Sequence, residues 1–439
     1  MSIMKKLRLL FTIAMVKLVF HTIRLLRLGG GTHFPGLLGI KLLPNLISVL
    51  ASQIPTHILI TGTNGKTTTT HLLSHLVKSA GLNVLTNHSG ANLIQGIATK
   101  LCLQANSLGK ITAEMGVWEV DEFAFKPVFW AIKPQYVVLL NLFKDQLDRY
   151  GEIDTILKTW RENLAQATWQ PSLLLNTDND YICALHDVKT LKKYFYHVKG
   201  YKIKPESQNY YPKSRAPKAQ FVLNFLGNKA LQEMSFSFNY QRISILLKIN
   251  LVGMYQLYNV CAALATYTTL NLPIQGLAQA LQAFTPAFGR AEHLHSMKHD
   301  IFIFLIKNPT GASQVIYTLA SDIRANDRFL IILNDGVADG TDTSWIWDTD
   351  FEFLQQKLPK ESTIVLSGKR AQELAVRFKY AGFASSQIQI ISQLEQAFTN
   401  ARQDLLGRLF ILPTYTALLP LEQLLFSQNV LQQRWYYEE

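Results

Sequence analysis

The chain has 439 residues, of which 48% are hydrophobic and 17% charged, which excludes a disordered chain and leaves room for two or three domains. Its formal net charge of +12 suits anionic partners (phosphorylated substrates, anionic lipid, nucleic acid) or general solubility. Three cysteines, Cys102, Cys183 and Cys261, lie far apart with no CxxC pair, so no zinc ribbon or disulfide framework is encoded and a cytoplasmic compartment is expected.

The first element, "MSIMKKLRLLFTIAMVKLVFHTIRLLRLGGG", is too interrupted to cross a membrane. Its longest uncharged run, Leu9 to Val16, is far short of the ~20 residues a span needs. No small-residue cleavage site follows it. A basic amphipathic helix ending at Gly29-Gly30-Gly31 is expected, either packed on the first domain with Lys and Arg snorkelling or lying on an anionic membrane surface.

Next, "HILITGTNGKTTTTHLLSHLVKSAG" reads strand, Gly-containing loop, helix. In "GTNGKTT" the backbone N–H groups of Gly62, Thr63, Asn64, Gly65, Lys66, Thr67 and Thr68 can face phosphates at a helix N-terminus. Lys66 is placed to reach the β/γ-phosphates, and the Thr67 hydroxyl to hold Mg²⁺. Further strands are expected at 83–86, 135–142, 171–176 and 243–253, with helical patterns between several of them, so a mainly parallel α/β sheet follows. Acids that could serve Mg²⁺ stand in "EVDE" (Glu119, Asp121, Glu122) and in "NLFKDQLDRYG" (Asp145, Asp148), where ligands of open α/β sheets bind. Each is equally readable as a solvated loop residue or a helix cap.

Residues 195–240, rich in Tyr, Lys and Pro and then alternating, read as an antiparallel insertion. "EHLHSMKHD", with His293, His295 and His299, reads as a domain-junction linker rather than a metal site. Five apolar strands follow, at 301–306, 329–335, 362–368, 388–392 and 408–414, giving a second α/β unit. The expected division is therefore 1–48 (basic helical segment), 49–295 (phosphate-binding domain) and 296–439 (second α/β domain). Within the last, "NDGVADGTDTSWIWDTD" (334–350) holds five aspartates and no Lys or Arg. It reads as a turn-rich loop with self-capping Asp side chains, or as an acidic contact surface anchored by Trp345 and Trp347. Its spacing does not suit an EF-hand.

Several of these stretches together resemble the Mur ligase superfamily: "TGTNGKTTTT", "NLFKDQLDRYG", "LNTDND" (175–180), "GMYQLYNVCAA" (253–263) and "FGRAE" (288–292). "IKNPTGASQ" (306–314), "NDGVADGTDTSWIWD", "SGKRAQELAVRFKYAG" (367–382) and "LPTYTALL" (412–419) are similar to the C-terminal domain of MurT-type subunits of lipid II isoglutaminyl synthases, as is the basic N-terminal helix followed by "GGGTHFPG". The resemblance implies a Mur ligase-type central ATPase domain with a parallel sheet plus a second α/β C-terminal domain. It implies a cytoplasmic ligase subunit, at the inner face of the cell membrane if the basic helix makes a peripheral contact there. Such a subunit uses ATP and Mg²⁺ to amidate the α-carboxyl of D-isoglutamate in the stem peptide of lipid II or a related lipid-linked precursor. Ammonia comes from a GatD-like glutaminase in a heterodimer.

Carried over residue by residue, Glu119 aligns with the Mg²⁺ ligand, and Asn259 and Arg290 with positions near the nucleotide. The glutaminase's Cys–His pair would take its third, acidic member from the loop at 334–350, with Asp348 the first choice and Asp342 and Asp339 the runners-up. Two departures stand out. The region that often carries a four-cysteine zinc ribbon has no cysteine here, so no structural zinc is expected. Tyr255 and Gln256 stand where Mur ligases commonly show His-Asn. Two other functions remain open: a ligase joining an amino acid to a carboxylate, as Mur and folylpolyglutamate synthetases do, and a non-catalytic ATP-gated binding module. No nucleic-acid partner is expected, since no aromatic–basic RNA motif or DNA-reading helix is present.

Overall fold

The structure, a computed structural model, describes residues 3–26, 33–87, 91–143, 152–189, 191–201, 217–229, 231–295, 300–336 and 339–431. Two sheets organise it. The first contains β1 (Thr56–Thr61), β2 (Val84–Thr86), β3 (Met115–Glu119), β4 (Tyr136–Leu139), β5 (Ser172–Asn176), β6 (Lys193–Lys199), β7 (Phe221–Lys229), β8 (Glu233–Tyr240) and β9 (Ile243–Ile249), in the order β2-β3-β1-β4-β5-β6-β7-β8-β9. Pairing is parallel from β2 to β7 and antiparallel from β7 to β9.

The central strands are apolar throughout because both faces are covered. In β1, Ile58 and Ile60 point into a core shared with the helices Lys66–Ser79 and Gln256–Thr269. Leu59 points the other way, toward Trp118, Phe125, Trp160 and the N-terminal helix Ile3–Leu25. That helix buries Leu9, Thr12, Ile13, Val16 and Phe20, so its inner face is packed as one of the two readings expected. The antiparallel part is displaced from 195–240: β6 pairs in parallel, and the antiparallel strands β7 to β9 run on to Ile249, so the strand expected within 243–253 is antiparallel. Phe221, Phe238 and Tyr240 stack on its inner face, with Phe221 and Phe238 at a centroid distance of 6.1 Å.

The second sheet has β10 (Arg290–His295), β11 (Asp300–Phe304), β12 (Arg328–Ile332), β13 (Ile364–Ser367), β14 (Ile388–Ile390) and β15 (Leu409–Pro413), in the order β10-β11-β15-β12-β13-β14. The five apolar runs are its parallel strands. β10 was expected as linker, but it pairs antiparallel with β11, and the His293 ring stacks on Phe302 at 4.1 Å. His299 lies outside the described residues. β3 was also not anticipated, because "MGVWE" is short and contains a glycine.

That glycine has a reason. A Cβ at Gly116 would sit 2.5 Å from Trp118 Nε1 and 2.7 Å from His57 Nδ1. Without it, Trp118 Nε1–H donates to His57 Nδ1 at 2.9 Å, and His57 Nε2 lies 2.9 Å from the Ala51 carbonyl. An acceptor at Nδ1 and a donor at Nε2 define the neutral imidazole. Burial lowers the His57 pKa accordingly, although its bond to Ala51 opposes the shift. The unfolded chain therefore takes up a proton near pH 6.5 that the folded chain refuses. Stability is full above that value and falls by up to about 1.4 kcal/mol per pH unit below it. Urea midpoints at pH 7.5 and 5.5 should show this loss in the native chain, and His57→Gln should reduce it. An equal loss in the variant would contradict the assignment.

Candidate functional site

The loop between β1 and the helix Lys66–Ser79 is held from three sides. From below, the Asn141 carbonyl accepts from Thr63 N–H at 3.0 Å and its side chain brackets the Asn64 backbone, accepting from N–H and donating to C=O, each at 2.9 Å. Phe143 N–H donates to Thr63 Oγ1 at 3.1 Å. From the side, Asn259 lies so close that a Cβ at Gly65, whose φ is +90°, would fall 2.0 Å from Asn259 Oδ1. Gln256 Oε1 accepts from Asn259 Nδ2 at 2.6 Å and so orients it. From the second domain, Asn308 Nδ2 donates to Asn64 Oδ1 at 3.0 Å. Asn308 is itself the N-cap of the helix Pro309–Ala320, accepting from Gly311 N–H at 2.8 Å.

A cleft opens between the domains at this point. Asn64, Gly65 and Thr68 line it, with Tyr255, Gln256 and Asn259, and with Thr310, Gly311 and Gln314. These are the first turns of three helices, Lys66–Ser79, Gln256–Thr269 and Pro309–Ala320. The positive ends of their dipoles therefore face one space, which favours an anion there. Arg290 and Lys307 add charge to the lining. Arg290 reaches the loop because β10 carries a bulge: the register shifts between Arg290 and Glu292, with Ala291 at φ +64°. Its guanidinium donates to Thr67 Oγ1 at 3.4 Å. Tyr255, also in the lining, has its hydroxyl pushed up to about 12 by burial, against the pull of Arg290.

Lys66 is buried and turned back on its own loop. Its ammonium donates to the carbonyls of Gly62 at 2.5 Å and Thr63 at 3.2 Å and to Glu122 Oε2 at 2.8 Å. Burial alone would lower its pKa, but Glu122, Asp121 and Glu119 outweigh that and raise it. Glu119, at the end of β3, is 4% exposed and accepts from Asn92 Nδ2 at 3.4 Å. Thus Gly62 to Thr68, Glu119, Asn259 and Arg290 gather in one region. Asp145 and Asp148 lie outside the described residues. The roles of Asn141 and Asn308 were missed. "KNPTG" did hold a signal, an Asn N-cap before a Pro at the first helical position.

The acidic loop lies apart from the cleft lining. Four of its five aspartates are engaged. Asp335 pairs with Arg370 Nε at 2.8 Å, which holds its carboxyl below the usual range. Asp339 accepts from the backbone of Thr416 at 2.7 Å and from its hydroxyl, and Asp342 accepts from Ser344 N–H at 2.8 Å. Asp350 caps Phe351–Lys357 and accepts from Tyr317 at 2.7 Å. Asp348, at the end of the 3₁₀ turn Ser344–Asp348, is exposed, and among the described residues its carboxylate has no partner. Trp345 is core, at 2% exposure, whereas Trp347 is 46% exposed and stands edge-on to the exposed Tyr380. Cys102 and Cys261 are buried, and burial pushes the Cys102 thiol up to about 12.

Comparison with known proteins agrees with this architecture. The profile of the Mur ligase middle domain matches residues 60–267, and that of the MurT ligase C-terminal domain matches 305–418. The MurT subunit of the glutamine-hydrolyzing lipid II isoglutaminyl synthase of Streptococcus pneumoniae is 30% identical over 434 residues, covering 92% of this chain and 95% of that protein. The corresponding subunit of Staphylococcus aureus is 29% identical, covering 90% and 93%. Among solved structures, MurF from Acinetobacter baumannii superposes with a TM-score of 0.68 at 17% identity, over 89% of this chain and 80% of that one. Folylpolyglutamate synthase from Mycobacterium tuberculosis superposes at 0.61 with 14% identity, over 84% and 91%. With two α/β domains built around this loop, and a relative at that identity spanning nearly the whole chain, the protein belongs to the MurT family of Mur ligase-type proteins.

Proposed function

We propose that the chain is the ligase subunit of a lipid II isoglutaminyl synthase. In this reading it uses ATP to convert the α-carboxyl of D-isoglutamate, in the stem peptide of a lipid-linked precursor, to the amide. The observation that carries it is the convergence of three helix N-termini with Arg290 and Lys307 on one interdomain cleft, which suits a polyphosphate, with the Lys66 ammonium held behind the loop. A lipid-linked acceptor would put the reaction at the inner face of the cell membrane.

A carboxylate does not condense with ammonia in water, because it is a poor electrophile. One of its oxygens attacks the γ-phosphorus of ATP, and ADP leaves. Ammonia then attacks the acyl carbon, and inorganic phosphate leaves with that oxygen. The protein's task is to hold and neutralise charge. The loop N–H groups and Lys66 would bind the phosphates, and Asn259 would hold Gly65 in place. Arg290, bonded to Thr67, would fix the loop's helical end. Glu119 and the Thr67 hydroxyl are buried hard oxygen donors beside the loop, and would hold Mg²⁺, which needs only one or two protein ligands beside phosphate and water. When bound, Mg²⁺ supplies charge neutralisation on the phosphate oxygens.

Ammonia would come from a GatD-like glutaminase partner. Asp348 supports a contribution in trans. Its carboxylate is exposed and uncommitted, whereas those of Asp339 and Asp342 are engaged inside the domain. The exposed Trp347 and Tyr380 beside it suit an interface anchor.

The test combines the chain, ATP, Mg²⁺ and lipid II with ammonium, or with glutamine and a GatD-like subunit, and reads the amide by mass spectrometry. Amide should form in both mixtures and not from glutamine without the partner. Asp348→Asn should lower the glutamine-dependent rate by about 10³–10⁴-fold while leaving the ammonium-dependent rate unchanged. Equal loss in both would remove Asp348 from the partner's site, and no amide from any nitrogen source would sink the ligase reading.

Lys66 yields a separate expectation. Lys66→Met should abolish amidation and cost about 3–5 kcal/mol of stability, because Glu122 is left buried without its cation. Adding Glu122→Gln should restore most of the stability and none of the activity. Urea unfolding of the two variants checks this, and a Lys66→Met chain as stable as the native one would contradict it.

A further inference from the structure

We propose that the outward face of the N-terminal helix Ile3–Leu25 docks on an anionic phospholipid bilayer. The helix is apolar on two opposite sides. Its inner side is packed in the first domain through Leu9, Ile13, Val16 and Phe20. Its outer side leaves Met4 at 81% exposure, Leu7 at 61%, Phe11 at 58%, Leu18 at 61% and Leu25 at 83%. At 3.6 residues per turn these five fall within an arc of roughly 60°. They share one face rather than being scattered, with the exposed Thr22 interrupting them between Leu18 and Leu25.

The charge around the stripe identifies its occupant. Eleven Lys and Arg precede the first acidic residue of the chain, Glu114, so nearly all of the net +12 resides in this quarter of the sequence. On the helix itself Lys6, Lys17 and Arg24 run along one flank of the stripe and Arg8 along the other. Two of these are braced by the domain: Arg8 donates to the Leu42 carbonyl at 2.6 Å, and Lys17 to that of Ala105 at 2.5 Å. An apolar stripe between basic flanks matches acyl chains below anionic headgroups. A second copy of the chain matches poorly, because pairing two such helices would bring like charges together with no acid to offset them. The geometry is that of a helix lying in the surface plane, since no helix among the described residues is long and apolar enough to cross a membrane.

The inference deepens the proposed function, in that a lipid-linked acceptor also lies in a membrane, but it rests on this surface alone. The test is flotation of the full chain with vesicles of phosphatidylcholine alone or mixed with phosphatidylglycerol, free of acceptor and nucleotide. The chain should float with the anionic vesicles only, and raised salt should release it. Phe11→Glu combined with Leu18→Glu should cut the bound fraction by about tenfold or more with an unchanged melting curve. Absence from the anionic vesicles, or a double variant that floats as well as the native chain, would overturn the proposal. So would a native dimer that the same substitutions dissociate without any vesicle binding. Because no amidation is measured, failure here leaves the ligase reading standing, and failure of amidation leaves this one standing.

Discussion

The structure turns on the meeting of three helix N-termini at one loop. A single helix end offers an anion about 0.3–1 kcal/mol at an exposed site and up to about 2 kcal/mol in a partly buried one. Three ends, with Arg290 and Lys307, make a site suited to a multiply charged anion. Both domains must be in place for this. The helix Pro309–Ala320 and the cationic Arg290 belong to the second sheet's side of the cleft, and Asn308 ties that side to Asn64 in the loop. The site is thus a property of the domain arrangement as much as of the loop.

The buried ammonium of Lys66 is the other constraint. It cannot sit among apolar strands alone, and Glu122 and two loop carbonyls hold it. Phosphate oxygens offer the same chemistry as those partners. Binding would therefore exchange one set of anionic contacts for another rather than drive a charge out of water.

Parts of this were legible in the residues and parts were not. The phosphate loop was, because glycine spacing reports backbone geometry directly: Gly65 needs a left-handed φ and tolerates no Cβ beside Asn259. The parallel strands were, because burial on both faces leaves an unbroken apolar run. β3 and β10 were not: one is five residues with a glycine required by the Trp118–His57 contact, and the other, with Arg290, Glu292, His293 and His295 among its six residues, lies at a sheet edge. The acidic loop could not be sorted from sequence either. Arg370 and Thr416, which engage Asp335 and Asp339, lie tens of residues away, and only the fold brings them near. The N-terminal helix looked like a single-faced amphipathic helix because its charges flank the stripe, whereas it is apolar on both sides.

If ATP activates the carboxylate by phosphorylating it at this loop, one carboxylate oxygen leaves with the phosphate. Labelling both oxygens of the acceptor's α-carboxyl with ¹⁸O, and following the label during ammonium-dependent amidation, tests it most directly. Each amide formed should release inorganic phosphate carrying one ¹⁸O, with the other retained in the amide. Unlabelled phosphate, or label appearing in AMP, would contradict it.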